Sequence, residues 1–371
     1  MRFTLGQLTT MFALVVSIAT AQADVVKVGI TAPLSGFQQG VGTETVSFWE
    51  AFAKHAENKG LLKSHKLQII ALDDAFDAKK STVNAQKLID DGAVVLTGAA
   101  GILAVLAMIP VLENTKVALL SPNSGAAELR GKSPAVFHTK PSFVAEVGRA
   151  ADVLGSMGAD KFVLITDDVP GRKLLIDQFG QRIREKGSKT ELLKTLIIAQ
   201  KDGNIASAIN EAVALKPSGI FLMIIPGLVP TALTSLKQAS YSGLIATWSV
   251  SATDQVVKAA SESGRSVIFT SVVPAPTNLK LNISKNFASF CKEFSVKPTF
   301  RGMEAYVSAL LLVDALNRIP GRVTGQSVWT ALEKTRNLDL GGITISYPSG
   351  TREGSEYLDI VVLSRDGRFR Y

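Results

Sequence analysis

Two short runs of small residues carry the chemistry this sequence offers. Residues 98–101 read GAAG and residues 121–127 read SPNSGAA. Each follows a mostly apolar run, at 94–97 and 116–120, and the first leads straight into another apolar stretch at 102–114. A loop of this composition lets backbone N–H groups approach a ligand closely. Where it opens a helix, those N–H groups and the helix dipole favour an anion. The Asn123 amide and the Ser124 hydroxyl add side-chain hydrogen bonds at the same place. Such residues capture a carboxylate; they do not make or break bonds.

The remaining reactive side chains offer no competing chemistry. His55, His65 and His138 lack metal-ligand spacing, and no nucleophile is recognisably paired with them. His55 and His65 flank a helix end and are expected in solvent. Asp73, Asp74 and Asp77 resemble a cation cluster, but strand-end acids and a helix cap at Asp77 explain them. Asp167 and Asp168 end an apolar run, either as solvated strand-end acids or, with Asp168 the candidate retained, facing a ligand. Arg172, at the next helix start, is expected on the surface. Cys291 sits on a helical apolar pattern, so packing is its expected role, and a single cysteine rules out an intramolecular disulfide. Packing is also the default for Phe37, Trp49, Trp248 and Tyr306. Phe37 and Trp248, in or beside strand-end loops, are the candidates to line a pocket.

The two small-residue loops need elements to hold them. From Ala93 to Leu112 there are twenty residues without a charge, a length that resembles a membrane span. Gly98, Gly101 and Pro110 interrupt it, so it reads as strand, loop and core helix. Apolar strands alternating with helices predict a parallel sheet covered on both faces, with ligands held at the carboxyl ends of its strands. Strands are expected over 25–32, 66–73, 94–97, 116–120 and 135–139, with helices over 43–58, 78–91 and 102–114. After a break at 140–142 the rhythm restarts, with helices over 142–157, 171–186, 204–215, 228–240 and 253–262. The strands of this second set fall over 161–166, 192–198, 219–225, 244–247 and 267–273. Helices over 282–294, 302–318 and 325–333 follow, with strand-like segments at 342–347 and 357–363. These late helices have no sheet of their own, so the first sheet is their expected host. Crossings near 139–141, 273–276 and 347–350 would then join two lobes as a hinge.

Bulk numbers agree with this division. At about 150 residues per domain, 371 residues suggest two. Hydrophobic content of 46% supports real cores, and 19% charge excludes a disordered chain. The net charge of +8 is scattered, which disfavours a nucleic-acid surface. At the N-terminus, Arg2, an apolar core over 11–19 and Ala21-Gln22-Ala23 predict a signal peptide over 1–23, cleaved before Asp24. The apolar core is too short to span a bilayer, so an exported, periplasmic chain without membrane insertion is expected.

The sequence resembles the type I periplasmic binding proteins, and among them the leucine/isoleucine/valine-binding receptors of ABC importers. The resemblance rests on VGITAPLSG at 28–36, LDDAFDAKKSTVNAQKLIDDGAVVLTGAAG at 72–101, LLSPNSGAAELR at 119–130, TSVVPAP at 270–276 and DLGGITISYPSGTREGSEYLDIVVLSRDG at 339–367. It implies an α/β fold of two Rossmann-like lobes with parallel central sheets and a three-segment hinge. One lobe is expected over 24–140 and 275–347, the other over 141–274 and 348–371. In the first lobe the resemblance places Gly101, Ile102 and Leu103, then Asn123, Ser124 and Gly125, around the ligand carboxylate. Ser35 and Phe37 from the first lobe and Asp168, Trp248 and Ser249 from the second complete the candidate ligand-binding set.

Three positions depart from the amino-acid binders of this family. Ile102 stands where a hydroxyl residue is usual, Ser249 near an acid that meets the ligand ammonium, and Pro170 where an aromatic residue often precedes the glycine. An unpaired buried ammonium is expensive, so an aromatic or aliphatic acid is expected ahead of an amino acid or amide, unless Asp167 or Asp168 replaces the acid. The implied function is capture of a small carboxylate-bearing solute for a membrane ABC permease. A ligand sensor feeding a signalling partner is the alternative. No enzymatic activity, metal, cofactor or nucleic-acid partner is expected, and a monomer is.

Overall fold

The computed structural model describes residues 24–169, 171–185, 191–199 and 204–371. The expected signal peptide, Pro170 and the expected helix end at Lys186 and Gly187 lie outside the described residues. The chain begins with β1 (Asp24–Ala32), α1 (Gln39–Asn58), β2 (His65–Asp73), α2 (Ala78–Asp90), β3 (Ala93–Thr97), α3 (Ile102–Thr115), β4 (Ala118–Leu120) and β5 (Val136–Phe137). Their strands form a parallel sheet in the order β2-β1-β3-β4-β5. Val28, Ile30, Val95, Leu96, Leu119 and Leu120 are fully buried. Neighbouring residues on a strand face opposite sides, so this sheet is covered on both.

The second series is α4 (Phe143–Ser156), β6 (Lys161–Asp167), α5 (Arg172–Glu185), β7 (Glu191–Ile198), α6 (Ile205–Ala214), β8 (Gly219–Met223), α7 (Val229–Gln238), β9 (Leu244–Thr247), α8 (Asp254–Ser263) and β10 (Val267–Ser271). The chain ends with α9 (Asn282–Phe294), α10 (Phe300–Asn317), α11 (Gly325–Glu333), β11 (Leu338–Asp339), β12 (Thr344–Ile345), β13 (Asp359–Leu363) and β14 (Phe369–Arg370). The second sheet runs β14-β13-β10-β9-β8-β6-β7. β6 to β10 are mutually parallel, while β13 returns antiparallel along β10 and carries β14 on its outer edge.

The late helices cover the first sheet. α10 packs on α1, and α11 packs on β3 and β4. Between α1, α9 and α10 lies an aromatic cluster of Phe48, Phe52, Phe287, Phe290 and Tyr306, with ring centroids 5.2 Å apart for Phe48–Phe290 and 5.3 Å for Phe287–Tyr306. His55 is half-buried against Phe52, Phe290 and Phe294 rather than solvated, and burial lowers its affinity for a proton. His65 is half-buried too. Cys291 is buried, and burial pushes its thiol up to about 12.

Local signals set most helix starts. Asp77, Ser142, Asn204, Thr253, Thr299 and Thr324 each accept a backbone N–H two or three residues into the helix that follows. At Thr324 the cap is reciprocal, because the Ser327 hydroxyl accepts the Thr324 N–H at 2.8 Å. Thr324→Ala should destabilise α11 by about 1 kcal/mol, seen as faster amide exchange in its first turn. Unchanged exchange there would refute the cap. The segment expected as a strand over 342–347 is ordered only at Thr344–Ile345, because Gly341 and Gly342 turn the chain at φ +85° and +145° to pair it with β11.

Two of the crossings are hydrogen-bonded to each other. The His138 N–H donates to the Arg352 carbonyl, and the Gly354 N–H to the His138 carbonyl, both at 2.8 Å. The Tyr347 hydroxyl reaches the same His138 carbonyl at 3.2 Å. A Cβ on Gly354 would stand 2.6 Å from that oxygen, so only glycine lets the strands meet. Arg130 donates to the Lys140 and Pro141 carbonyls, both at 3.0 Å, and pairs with Glu353.

The His138 ring is buried here, and burial, with the Arg130 guanidinium beside it, pushes its pKa down to about 3. An unfolded imidazole takes up its proton near 6.5 and the folded one near 3, so stability is lost as pH falls through that window. Moving from pH 7 to pH 5 should cost about 2 kcal/mol through this residue. His138→Gln should flatten that part of the urea-midpoint pH profile, and parallel profiles for both proteins would refute the assignment.

Candidate functional site

The two small-residue loops lie side by side at the carboxyl ends of β3 and β4. Ala100 and Asn123 form a parallel bridge. The Asn123 N–H donates to the Ala99 carbonyl at 2.8 Å, and the Gly101 N–H to the Asn123 carbonyl at 3.4 Å. Gly101 caps α3 at φ 84° and ψ 160°, a conformation essentially reserved for glycine. The first-turn N–H groups of α3, those of Ile102 and Leu103 among them, have no intrahelical acceptor. Asn123 makes no side-chain hydrogen bond among the described residues. Ser124 is buried, and its Oγ accepts the Ala126 N–H at 3.3 Å.

An apolar rim stands over this helix start. Phe37 is 73% exposed, Leu103 59% and Phe76 39%, although large apolar side chains are usually covered. Phe37 meets Phe76 edge-on at 5.3 Å, and a Cβ on Gly101 would lie 3.0 Å from the Phe76 ring. The acids behind the rim hold its loops. Asp73 accepts the Ser35 hydroxyl at 2.6 Å and the Leu34, Ser35 and Ala75 N–H groups, and the Ser35 bond leads in holding its carboxyl below the usual range. Asp74 accepts the Thr31 and Ser81 hydroxyls, both at 3.0 Å.

The second lobe approaches through a stack of side chains. The Gly125 carbonyl accepts the Phe143 N–H at 2.7 Å, and a Cβ on Gly125 would stand 2.6 Å from the Phe143 ring. Phe143 packs on Trp248 at 4.7 Å, and the Arg172 guanidinium also lies over the Trp248 ring, 4.3 Å from its centroid. Arg172 donates from Nε to the fully buried Asp167 at 2.8 Å. Trp248 is 2% exposed, with its indole N–H on the Ile224 carbonyl at 3.0 Å. The Ser249 N–H and hydroxyl both donate to Glu146 at 3.0 Å, and the Thr270 hydroxyl adds a third bond at 2.6 Å. Burial raises the Glu146 carboxyl above its ordinary value, and these bonds oppose the rise.

A model of a family described as periplasmic binding protein matches residues 25–368. The chain belongs to this periplasmic binding protein family. Leucine/isoleucine/valine-binding proteins are among the proteins it resembles. The Leu/Ile/Val-binding protein homolog 2 of Brucella abortus (strain 2308) is 26% identical over 248 residues. That match spans 62% of this chain and 62% of the relative. An extracellular ligand-binding receptor from Verminephrobacter eiseniae ef01-2 has a TM-score of 0.84 at 20% identity, over 93% of this chain and 99% of that one. A solute-binding protein of an ABC transporter from Rhodopseudomonas palustris BisB5, solved with 3,4-dihydroxybenzoic acid, gives 0.77 at 21%, over 91% and 92%. The branched-chain amino acid substrate-binding protein LivJ of Streptococcus pneumoniae, solved with isoleucine, gives 0.81 at 15%, over 94% and 98%. At these identities the structural likeness is one of fold.

In this periplasmic binding protein the fold brings the Gly101 end of α3 beside Asn123, with Phe76 against Gly101 and Phe37 on Phe76. Other sequence-based candidates take supporting places. Ser35 has its hydroxyl on Asp73, Ser124 is buried, and Gly125 receives the Phe143 ring. Trp248 is wall rather than lining, covered by Phe143 and Arg172. Asp167 is committed to Arg172, which is itself buried and not a surface residue, whereas Asp168 stands exposed at the end of β6. Glu146 is the residue sequence reasoning passed over. It brings a carboxylate to Ser249 from α4, and its only signal is an acid within the run FVAEVG. Among the described residues, no helix is long and apolar enough to cross a membrane.

Proposed function

We propose that this periplasmic binding protein is the solute receptor of an ABC importer and captures a small carboxylic acid, aromatic or aliphatic, between its lobes. The observation that carries the reading is the start of α3. There Gly101 opens the helix with unsatisfied N–H groups, the Asn123 amide stands alongside, and Phe37, Phe76 and Leu103 form an apolar rim. The N–H groups suit a carboxylate, and the rim suits a hydrocarbon body. Relatives solved with a dihydroxybenzoic acid and with isoleucine support a carboxylate-bearing solute.

In this proposal the lobes are 24–140 with 275–347 and 141–274 with 348–371. Gly101, Ile102, Leu103 and Asn123 hold the carboxylate, and Phe37 covers the body of the ligand. Ser35, Ser124 and Gly125 shape the first-lobe loops, while Trp248, Ser249 and Asp168 belong to the facing wall. Closure follows from contacts made only when the second lobe comes down, and a membrane permease reads the closed form. The protein works in the periplasm after loss of residues 1–23, as a receptor and not an enzyme.

Isothermal titration of ligand-stripped protein against benzoate, 3,4-dihydroxybenzoate, isocaproate and isoleucine tests this. An acid present at a hundred times its Kd should stabilise the fold by about 2.7 kcal/mol. Absence of both heat and thermal stabilisation across the panel would sink the reading.

A further inference from the structure

A small polar chamber sits inside the first lobe, where α1, α10 and the ends of β3 and β4 converge. Thr45 and Trp49 reach it from α1, Ser121 and Asn123 from the loop after β4, and Glu304 and Ser308 from α10. Its volume is about 20 Å³. A cavity of this size holds one water-sized group, so the chamber admits a single heavy atom. Asn123 is shared between the chamber and the carboxylate loops described above.

The hydrogen bonds around the chamber define what that atom must be. Thr45 gives its hydroxyl proton to the Val41 carbonyl at 2.9 Å, Thr97 to Leu120 at 2.9 Å and Ser308 to Glu304 at 2.8 Å. These hydroxyls, the first and last of them on the chamber walls with Thr97, have only lone pairs left to offer. The Glu304 carboxylate adds acceptor capacity beyond its bond to Lys140 at 2.5 Å. Donors are present as well. Trp49 and Asn123 both line the chamber and carry N–H donors, the indole and the amide. The occupant must therefore both donate and accept. A carboxylate oxygen cannot donate, and an ammonium cannot accept. An ammonium would also meet Arg301 on the chamber wall and the Lys140 charge behind Glu304. A hydroxyl satisfies both demands.

We propose that the chamber is a hydroxyl-selective subsite of the ligand cleft, so that the solute is a 2-hydroxy acid, with its hydroxyl on the carbon next to the carboxyl group. This rests on the carboxylate reading above, with Asn123 as the shared residue.

The test compares matched acids by isothermal titration: phenylacetate with mandelate, and isocaproate with 2-hydroxyisocaproate and leucine. The hydroxy acid of each set should bind at least about tenfold tighter than its parent, the difference made by one well-placed hydrogen bond to a charged or buried partner, and tighter than leucine. Thr45→Val and Ser308→Ala should bring that ratio towards one, and Thr45→Ser should retain it. The ratio, not the absolute affinity, is read, so a general weakening does not count in favour. Equal binding within the wild-type pairs, leucine as the tightest ligand, or a ratio unchanged in both folded variants would overturn the subsite while leaving the carboxylate reading standing. The wild-type ratio decides alone should a variant fail to fold. Absence of binding by every acid would remove both readings.

Discussion

Asp167→Ala should destabilise the protein by about 3–5 kcal/mol, among the largest effects of any single polar substitution in it. Asp167 is fully buried at the end of β6, and Arg172 holds it from Nε and Nη2 at 2.8 and 2.5 Å. Removing the carboxylate leaves the buried guanidinium without its hydrogen-bonded counter-charge, with only the Glu128 carboxylate nearby. Stacking on Trp248 at 4.3 Å cannot replace it. The same reasoning makes the pair itself a poor source of stability, since desolvation of both ions offsets their attraction. Asp167→Leu combined with Arg172→Met should therefore recover most of the loss. Urea melts of the two single variants and the double variant, treated as a cycle, read this directly. A loss below about 1 kcal/mol for Asp167→Ala would mean that water reaches the guanidinium and the pair behaves as a surface one.

Gly101→Val should weaken binding of the proposed carboxylate ligand about five- to 150-fold, from the roughly 1–3 kcal/mol that a side chain pays in that backbone region. At φ 84° and ψ 160° the backbone tolerates glycine, and a Cβ there would also press on the Phe76 ring at 3.0 Å. Both conflicts are relieved by rotating the start of α3, which would turn the N–H groups of Ile102 and Leu103 away from the proposed carboxylate position. The control is Gly148→Ala on α4, where an added Cβ meets nothing within 4 Å. Titration with whichever acid binds the parent protein measures the difference. Equal affinity for Gly101→Val and Gly148→Ala would remove the α3 start from the site.

The fold was largely legible because its signals are local. The apolar run at 94–97, the glycines at 98 and 101 and the apolar stretch behind them specify strand, turn and helix within a few residues of one another. Asp77 and Thr324 mark their helices in the same way. Short elements were harder. β14 at Phe369–Arg370 has too few residues to show a period, and it exists because β13 offers it an edge. The retreat of the segment over 342–347 to two residues follows from paired glycines whose turn pairs it with β11.

The site divides along the same line. Composition alone marked residues 98–101 and 121–127 as loops for an anion, and order along the chain put them at neighbouring strand ends. Which of their side chains remain available was decided by partners far away in sequence. Ser249 is taken by Glu146, 103 residues before it, and Ser35 by Asp73, 38 residues after it. Trp248 is an aromatic beside a strand-end loop, yet Phe143 and Arg172 close over it. The chamber behind Asn123 joins α1 to α10, elements that no local pattern relates. Periodicity and turn chemistry are properties of adjacent residues, so the sequence by itself determined most strands and helices and the two small-residue loops between them. Burial and hydrogen-bond partnership belong to surfaces that meet only after folding, so tertiary structure alone decided which donors and acceptors were left for a ligand.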